Sequence, residues 1–234
     1  MRKISLNLIT IIQLAFLLSF YSCSSKDNLN SNEVTIGNQV WMTQNLSTDT
    51  FQNGDKIIQV KSIKDWDKAI VNEQAAWCSY EFNDIHEKKY GKIYNVFALT
   101  DSRKLVPFEW RIPNEKDWKI LTINLDPNAD TAKLYLDESF DLKISKAAAK
   151  LKSTEWNGTN KSKFDALPGG NIFWEMGDGG SGGYFVGLDA NTSFWVSYSK
   201  NSIYCSYEIH NEGCYFGDNY FGIVGGGYYV RCVK

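Results

Sequence analysis

The sequence carries almost no net charge. Its 25 lysines and arginines stand against 27 aspartates and glutamates, a balance of −2. A protein that tracks phosphates carries a basic excess, so nucleic-acid binding is excluded. Histidine is scarce, with only His86 and His210, and no two cysteines have CxxC spacing. Both absences argue against a zinc site. P-loop and HExxH patterns are missing, which removes common nucleotide and metalloprotease signatures. No proline-rich linker divides the chain, and its one long apolar run sits at the extreme N-terminus. A multi-span membrane protein is therefore excluded. What the chain has is bulk: 234 residues, 43% hydrophobic and 15% aromatic. That suffices for one sizeable core and is incompatible with general disorder.

The apolar run reads as an address. Arg2 and Lys3 precede a mostly apolar stretch, residues 4–20, interrupted by Asn7, Thr10 and Gln13. It is a poor membrane span and a good secretory segment. It ends at Ser22-Cys23-Ser24-Ser25, which resembles the lipobox of bacterial lipoproteins and marks Cys23 for lipidation. Residues 1–22 are thus expected to be a signal peptide and 23–33 a flexible tether, polar except for Leu29. Ser25-Lys26-Asp27 resembles the short charged signals that send such proteins to the cell surface. The expected location is the outer membrane, surface-exposed, with acyl chains rather than basic contacts as the anchor.

Once Cys23 is set aside, Cys78, Cys205, Cys214 and Cys232 remain. An even number behind a secretory signal favours disulfides, and four cysteines allow three pairings. Cys205–Cys214 straddles a turn expected at 210–213, and Cys78–Cys232 would tie the early domain to its last strand. Closing the longer loop is worth roughly 4–5 kcal/mol in the chain-entropy model.

From Val34 the pattern becomes globular. Residues 34–41 read as a hairpin turning at Gly37-Asn38, with Val34, Ile36 and Trp41 on one face. Residues 63–76 have helical character. Asn114 and Asp117 form a capping box ahead of Trp118, Leu121 and Leu125 at helical spacing. A further short helix is expected over 143–152. After Trp156, glycine and alternating aromatics replace helical periodicity. Strands are expected at 184–188, 194–198, 203–207 and 228–233. The expected class is α+β: two helices in the N-terminal half, then a Gly- and aromatic-rich antiparallel sheet, in one domain over 34–234.

Seven segments in order resemble one family. They are Val34 to Met42 with Gln44-Asn45-Leu46, Trp77-Cys78-Ser79-Tyr80, Tyr90-Gly91-Lys92-Ile93-Tyr94-Asn95, Trp110-Arg111-Ile112-Pro113 with Asp117-Trp118, Leu151-Lys152-Ser153-Thr154, Phe164 to Gly170, and Val230-Arg231-Cys232-Val233. Together they resemble the Fibrobacter succinogenes major paralogous domain, found in lipoproteins of Bacteroidetes-type bacteria. The resemblance implies a C-type-lectin-like fold akin to that of formylglycine-generating enzymes. It supports the Cys78–Cys232 pairing. It implies no established reaction, and it points to surface proteins suspected of carbohydrate binding or adhesion.

The expected function is a non-catalytic, lipid-anchored module that binds carbohydrate or another surface ligand. Sugars stack on aromatic rings, and Trp174 beside a glycine-rich stretch expected to be a flexible loop is the first candidate. Asp178, Asp218 and Tyr220 complete the expected ligand set, whereas Trp41, Trp118 and Trp195 are assigned to the core. No cofactor is expected. Calcium, for which Asp178, Asp189, Asp218 and Asn219 offer oxygens, lacks the lectin tripeptides. Two alternatives stand beside this reading. One is an adhesive protein with a protein partner. The other is a copper oxidase relative using Cys205 and Cys214 as converging thiolates. Glu81, Asp84, Glu87, Asp101 and Glu109 are the carboxylates on hand for glycoside chemistry.

Overall fold

A computed structural model describes residues 32–131, 146–177, 180–197, 205–211, 213–217 and 224–234. The expected leader, Cys23, most of the expected tether, Asp178, Asp218, Asn219 and Tyr220 lie outside these residues. Residues 32–234 cluster as one unit. Among the described residues no helix is long and apolar enough to cross a membrane.

The opening hairpin pairs β1 (Glu33–Ile36) with β2 (Gln39–Met42) in antiparallel register, Val34 opposite Trp41 and Ile36 opposite Gln39. Gly37 takes φ 63° at the turn, as expected of a two-residue hairpin. A three-stranded sheet follows in the order β3 (Ile58–Gln59), β4 (Ala76–Cys78), β5 (Ile93–Tyr94). Five α-helices are described, where two were expected: α1 (Ile63–Val71), α2 (Asp84–Tyr90), α3 (Val96–Thr100), α4 (Glu115–Leu125) and α5 (Lys146–Leu151). The short ones start from local capping chemistry. Ser62, Asn83 and Asn95 each accept an N–H of the first turn. The capping box of α4 forms as expected, Asn114 and Asp117 each accepting the other's backbone N–H at 3.1 and 2.8 Å.

The C-terminal half is largely β. Its five-stranded sheet runs β10-β9-β8-β6-β7, with β6 (Gly169–Gly177), β7 (Gly180–Leu188), β8 (Asn191–Val196), β9 (Cys205–His210) and β10 (Cys214–Gly217). The sheet is not wholly antiparallel: β6 meets β8 in parallel at Gly170 and Thr192. β7 reverses the direction of β6, and β8 reverses it again after the short turn at 189–190, so where β8 lies beside β6 the two run parallel. The 228–233 segment makes isolated bridges to several elements instead of one strand.

That terminal segment stitches the layers together. Its backbone bonds Ile172 through Gly227, Tyr94 through Tyr228, Trp195 through Tyr229, Leu46 through Val230, Met42 through Cys232 and Arg111 through Val233, all at 2.8–3.0 Å. Around it lies an aromatic core. Trp41, Trp118 and Trp195 are fully buried, as expected. The Trp118 ring stacks on Tyr207 at 4.3 Å and touches Trp41 at 4.8 Å and Phe194 at 5.5 Å.

Three substitutions in α4 test this packing. Trp118→Ala removes the centre of this cluster and should lower unfolding stability by about 3–5 kcal/mol. Ile123→Ala, on the 45% exposed side of the same helix, should stay within about 0.5 kcal/mol. Urea unfolding of both variants separates burial from helix propensity. Burial pushes the Asp117 carboxyl up, but Arg111, the Asn114 N–H and Gln39 outweigh it and hold the pKa below its ordinary 3.8. This stabilisation is present above that value and is lost as pH falls through the lower folded one. Asp117→Asn should therefore cost about 1–2 kcal/mol at neutral pH and flatten the acid limb of the urea-midpoint profile.

Candidate functional site

One concavity is a cleft of about 570 Å³ on the loop joining α3 to α4. Leu99 and Leu105 are buried in its floor. Phe108 stands at its rim, 83% exposed, and Trp110 is half-buried beside it. Gln52, Asp101, Lys104, Glu109 and Asn114 supply donors and acceptors around these rings.

The loop is held from both sides. Gln52 Nε2 donates to Val106 O at 2.6 Å, and its backbone N–H donates to Lys104 O at 2.9 Å. Arg103 donates to both Asp101 oxygens, at 2.9 and 2.7 Å, and to Asp55 at 3.0 Å, while lying over the Phe51 ring. These contacts lower the pKa of Asp101 and of Asp55. On the other side Ser197 N–H donates to Pro113 O at 2.8 Å, and Arg111 pairs with Asp117. A turn from Pro107 to Trp110 closes with a 3.1 Å bond and places Glu109 at φ 69°. A glutamate in the left-handed region carries backbone strain, and strain of this kind collects at functional loops. Of the five carboxylates expected to be on hand for glycoside chemistry, Asp101 and Glu109 line this cleft; Glu87 lies in a different pocket.

Trp174 lies elsewhere, on β6. Its Nε1 donates to Asp67 Oδ1 at 3.3 Å, and its ring leaves no room for a Cβ on Gly225. The glycine-rich stretch beside it is a tight hairpin, not a flexible loop: Gly177 pairs with Gly180, and Gly182 and Gly183 are strand residues of β7. Helix α1 packs across this strand. Gly183 N–H donates to Asp67 Oδ1 at 2.9 Å, and a Cβ on Gly183 would stand 3.1 Å from Ile172 and 3.4 Å from Trp66. The glycines therefore serve close helix–strand approach. Phe173 and Tyr184 form the cross-strand aromatic pair on the opposite face, 5.6 Å apart, with Tyr184 42% exposed.

Cys78, Cys205, Cys214 and Cys232 are all buried thiols, so neither expected disulfide is formed. The turn at 210–213 does form, and His210 N–H donates to Gly213 O at 2.8 Å. Its register, however, sets Cys214 opposite Ile209. Cys205 is four residues further along β9, about 13 Å away. A disulfide needs Cα atoms within about 7 Å. The same spacing stops the two sulfurs from holding one copper ion. Burial pushes the Cys78 thiol well above its ordinary value and the Cys232 thiol up to about 12. No cluster of three or more His, Cys, Asp or Glu able to hold a metal occurs among the described residues.

Two polar groupings escaped the sequence reading. On β9–β10, Glu208 accepts from Ser206, His210 and Tyr215 at 3.0–3.1 Å. Alternation along β9 signals a polar face there, but the pairing of Tyr215 with Glu208 depends on register. The second is a pocket of about 310 Å³ that includes Gln44, Asn45, Lys88, Lys89, Asp165 and the buried Arg231. Its parts come from four distant segments, so no local pattern could reveal it.

These features define a mixed α/β domain with an aromatic core and two surface concavities. The chain belongs to the Fibrobacter succinogenes major domain family, whose model matches residues 34–234. No curated protein and no solved structure matches it.

The thiol arrangement is directly countable. Residues 24–234, denatured without reductant, should titrate four thiols, while the native chain reacts slowly because all four are buried. A count of two or none would restore a disulfide.

Proposed function

We propose that the chain is a lipid-anchored surface module with a C-type-lectin-like fold that binds carbohydrate without catalysing a reaction. The observation that carries the reading is the cleft at Phe108. An aromatic ring left 83% exposed beside Trp110 suits the C–H face of a sugar, and the amides and charges around it suit the hydroxyls. The leader, Cys23 and the polar tether support a lipoprotein held at the outer membrane. The family match is consistent with a surface role and brings no reaction with it.

Residues 24–234 should show saturable binding on a panel of polysaccharides and host glycans, screened with and without calcium. Phe108→Ala should weaken binding at least about tenfold and leave stability within about 0.5 kcal/mol, because the ring is exposed. Trp174→Ala should instead lower the melting temperature, since its ring and N–H are engaged with Gly225 and Asp67. Loss of binding in Trp174→Ala alone, with the fold intact, would move the site to the β6–β7 hairpin. Silence from a folded sample would favour a protein partner.

A further inference from the structure

Arg231 is 2% exposed. Its guanidinium spans three segments: Nε donates to Asn45 Oδ1 at 3.0 Å, and Nη1 donates to Met42 O at 3.2 Å and Phe164 O at 2.5 Å. It lies over the Phe164 ring at 4.4 Å. All these partners are neutral. Among the described residues no carboxylate forms an ion pair with Arg231, and Nη2 makes no hydrogen bond. Burying a cation without a counter-charge is costly, and burial accordingly lowers its pKa to about 9. Asp165 opposes that shift from nearby, with its Oδ1 accepting from Asn160.

Arg231 lines the 310 Å³ pocket, whose wall carries the exposed Lys88 and Lys89, the latter 3.6 Å from Glu155. The other acid on its wall, Glu87, is paired with Lys92. Asn45 orients the floor, since its Nδ2 donates to Tyr90 O at 2.8 Å while its Oδ1 holds Arg231.

We propose that this pocket binds a compact oxyanion, a carboxylate or phosphate group, with the Arg231 guanidinium as its donor and Lys88 and Lys89 at its mouth. Guanidinium geometry suits either group, and the volume fits a small headgroup. The site is separate from the Phe108 cleft and does not depend on carbohydrate binding there.

The test uses the full chain in mild detergent at constant ionic strength. Sodium phosphate, sodium glucuronate and neutral glucose are titrated while calorimetry and the Arg231 Nε–H resonance are followed, the latter assigned with Arg231→Lys. Saturable binding of either anion, with movement of that resonance and no response to glucose, supports the site and tells which source supplies the group. Lys88→Glu, on an exposed side chain, should weaken anion binding at least about fivefold without unfolding the chain, whereas Lys61→Glu, the same charge change elsewhere, should not. An equal effect of both lysine variants overturns the proposal. So does an unmoved Arg231 resonance, or no saturation by either anion up to about 50 mM in a folded sample.

Discussion

The hydrogen bonds of the last eight residues hold the rest of the molecule in place. The segment 227–234 enters between sheets that share no strand and bonds each in turn. Arg231 is its centre. A guanidinium is the one side chain with enough donors in a rigid plane to bind Met42, Asn45 and Phe164 together. Because the charge is buried, those neutral acceptors are obligatory, and the loops that supply them have little freedom. The geometry of the β2 exit, the Tyr90–Gly91 corner and the Phe164 loop all follow from this requirement.

The two concavities inherit their order from that arrangement. The cleft loop is tied to the terminal segment by the paired bonds of Arg111 with Val233, and to α4 by the Arg111–Asp117 pair. Helix α4 is in turn pinned by Trp118 against Tyr207. Phe108 therefore projects from a braced turn. The Arg231 pocket uses the same segment on another side, so the two sites share a scaffold while presenting different chemistry: rings and amides in one, cations in the other.

Local patterns carried a good part of the fold. The Gly37-Asn38 hairpin, the Asn114 capping box and the Trp118–Leu121–Leu125 face are legible because each is decided within a few residues. The disulfides were misread for the opposite reason. Cys205 and Cys214 are close in sequence and flank a real turn, but pairing depends on strand register, and the register sets them about 13 Å apart. The glycine-rich stretch beside Trp174 was misread as a loop because glycine clusters in loops and in close helix–strand contacts alike. Only the approach of Asp67 and Trp66 tells them apart.

The sequence by itself determined the class, a mixed α/β chain that turns largely β in its C-terminal half, and which large aromatic residues belong inside. Those properties depend on composition and on short-range periodicity. The tertiary structure decided the parallel β6–β8 edge, the fate of the cysteines and both concavities. Each of these arises where segments far apart in the chain meet, as Asn45, Tyr90, Asp165 and Arg231 do. The cost of burying polar and charged groups sets which of them meet, and that cost is not written in any one segment.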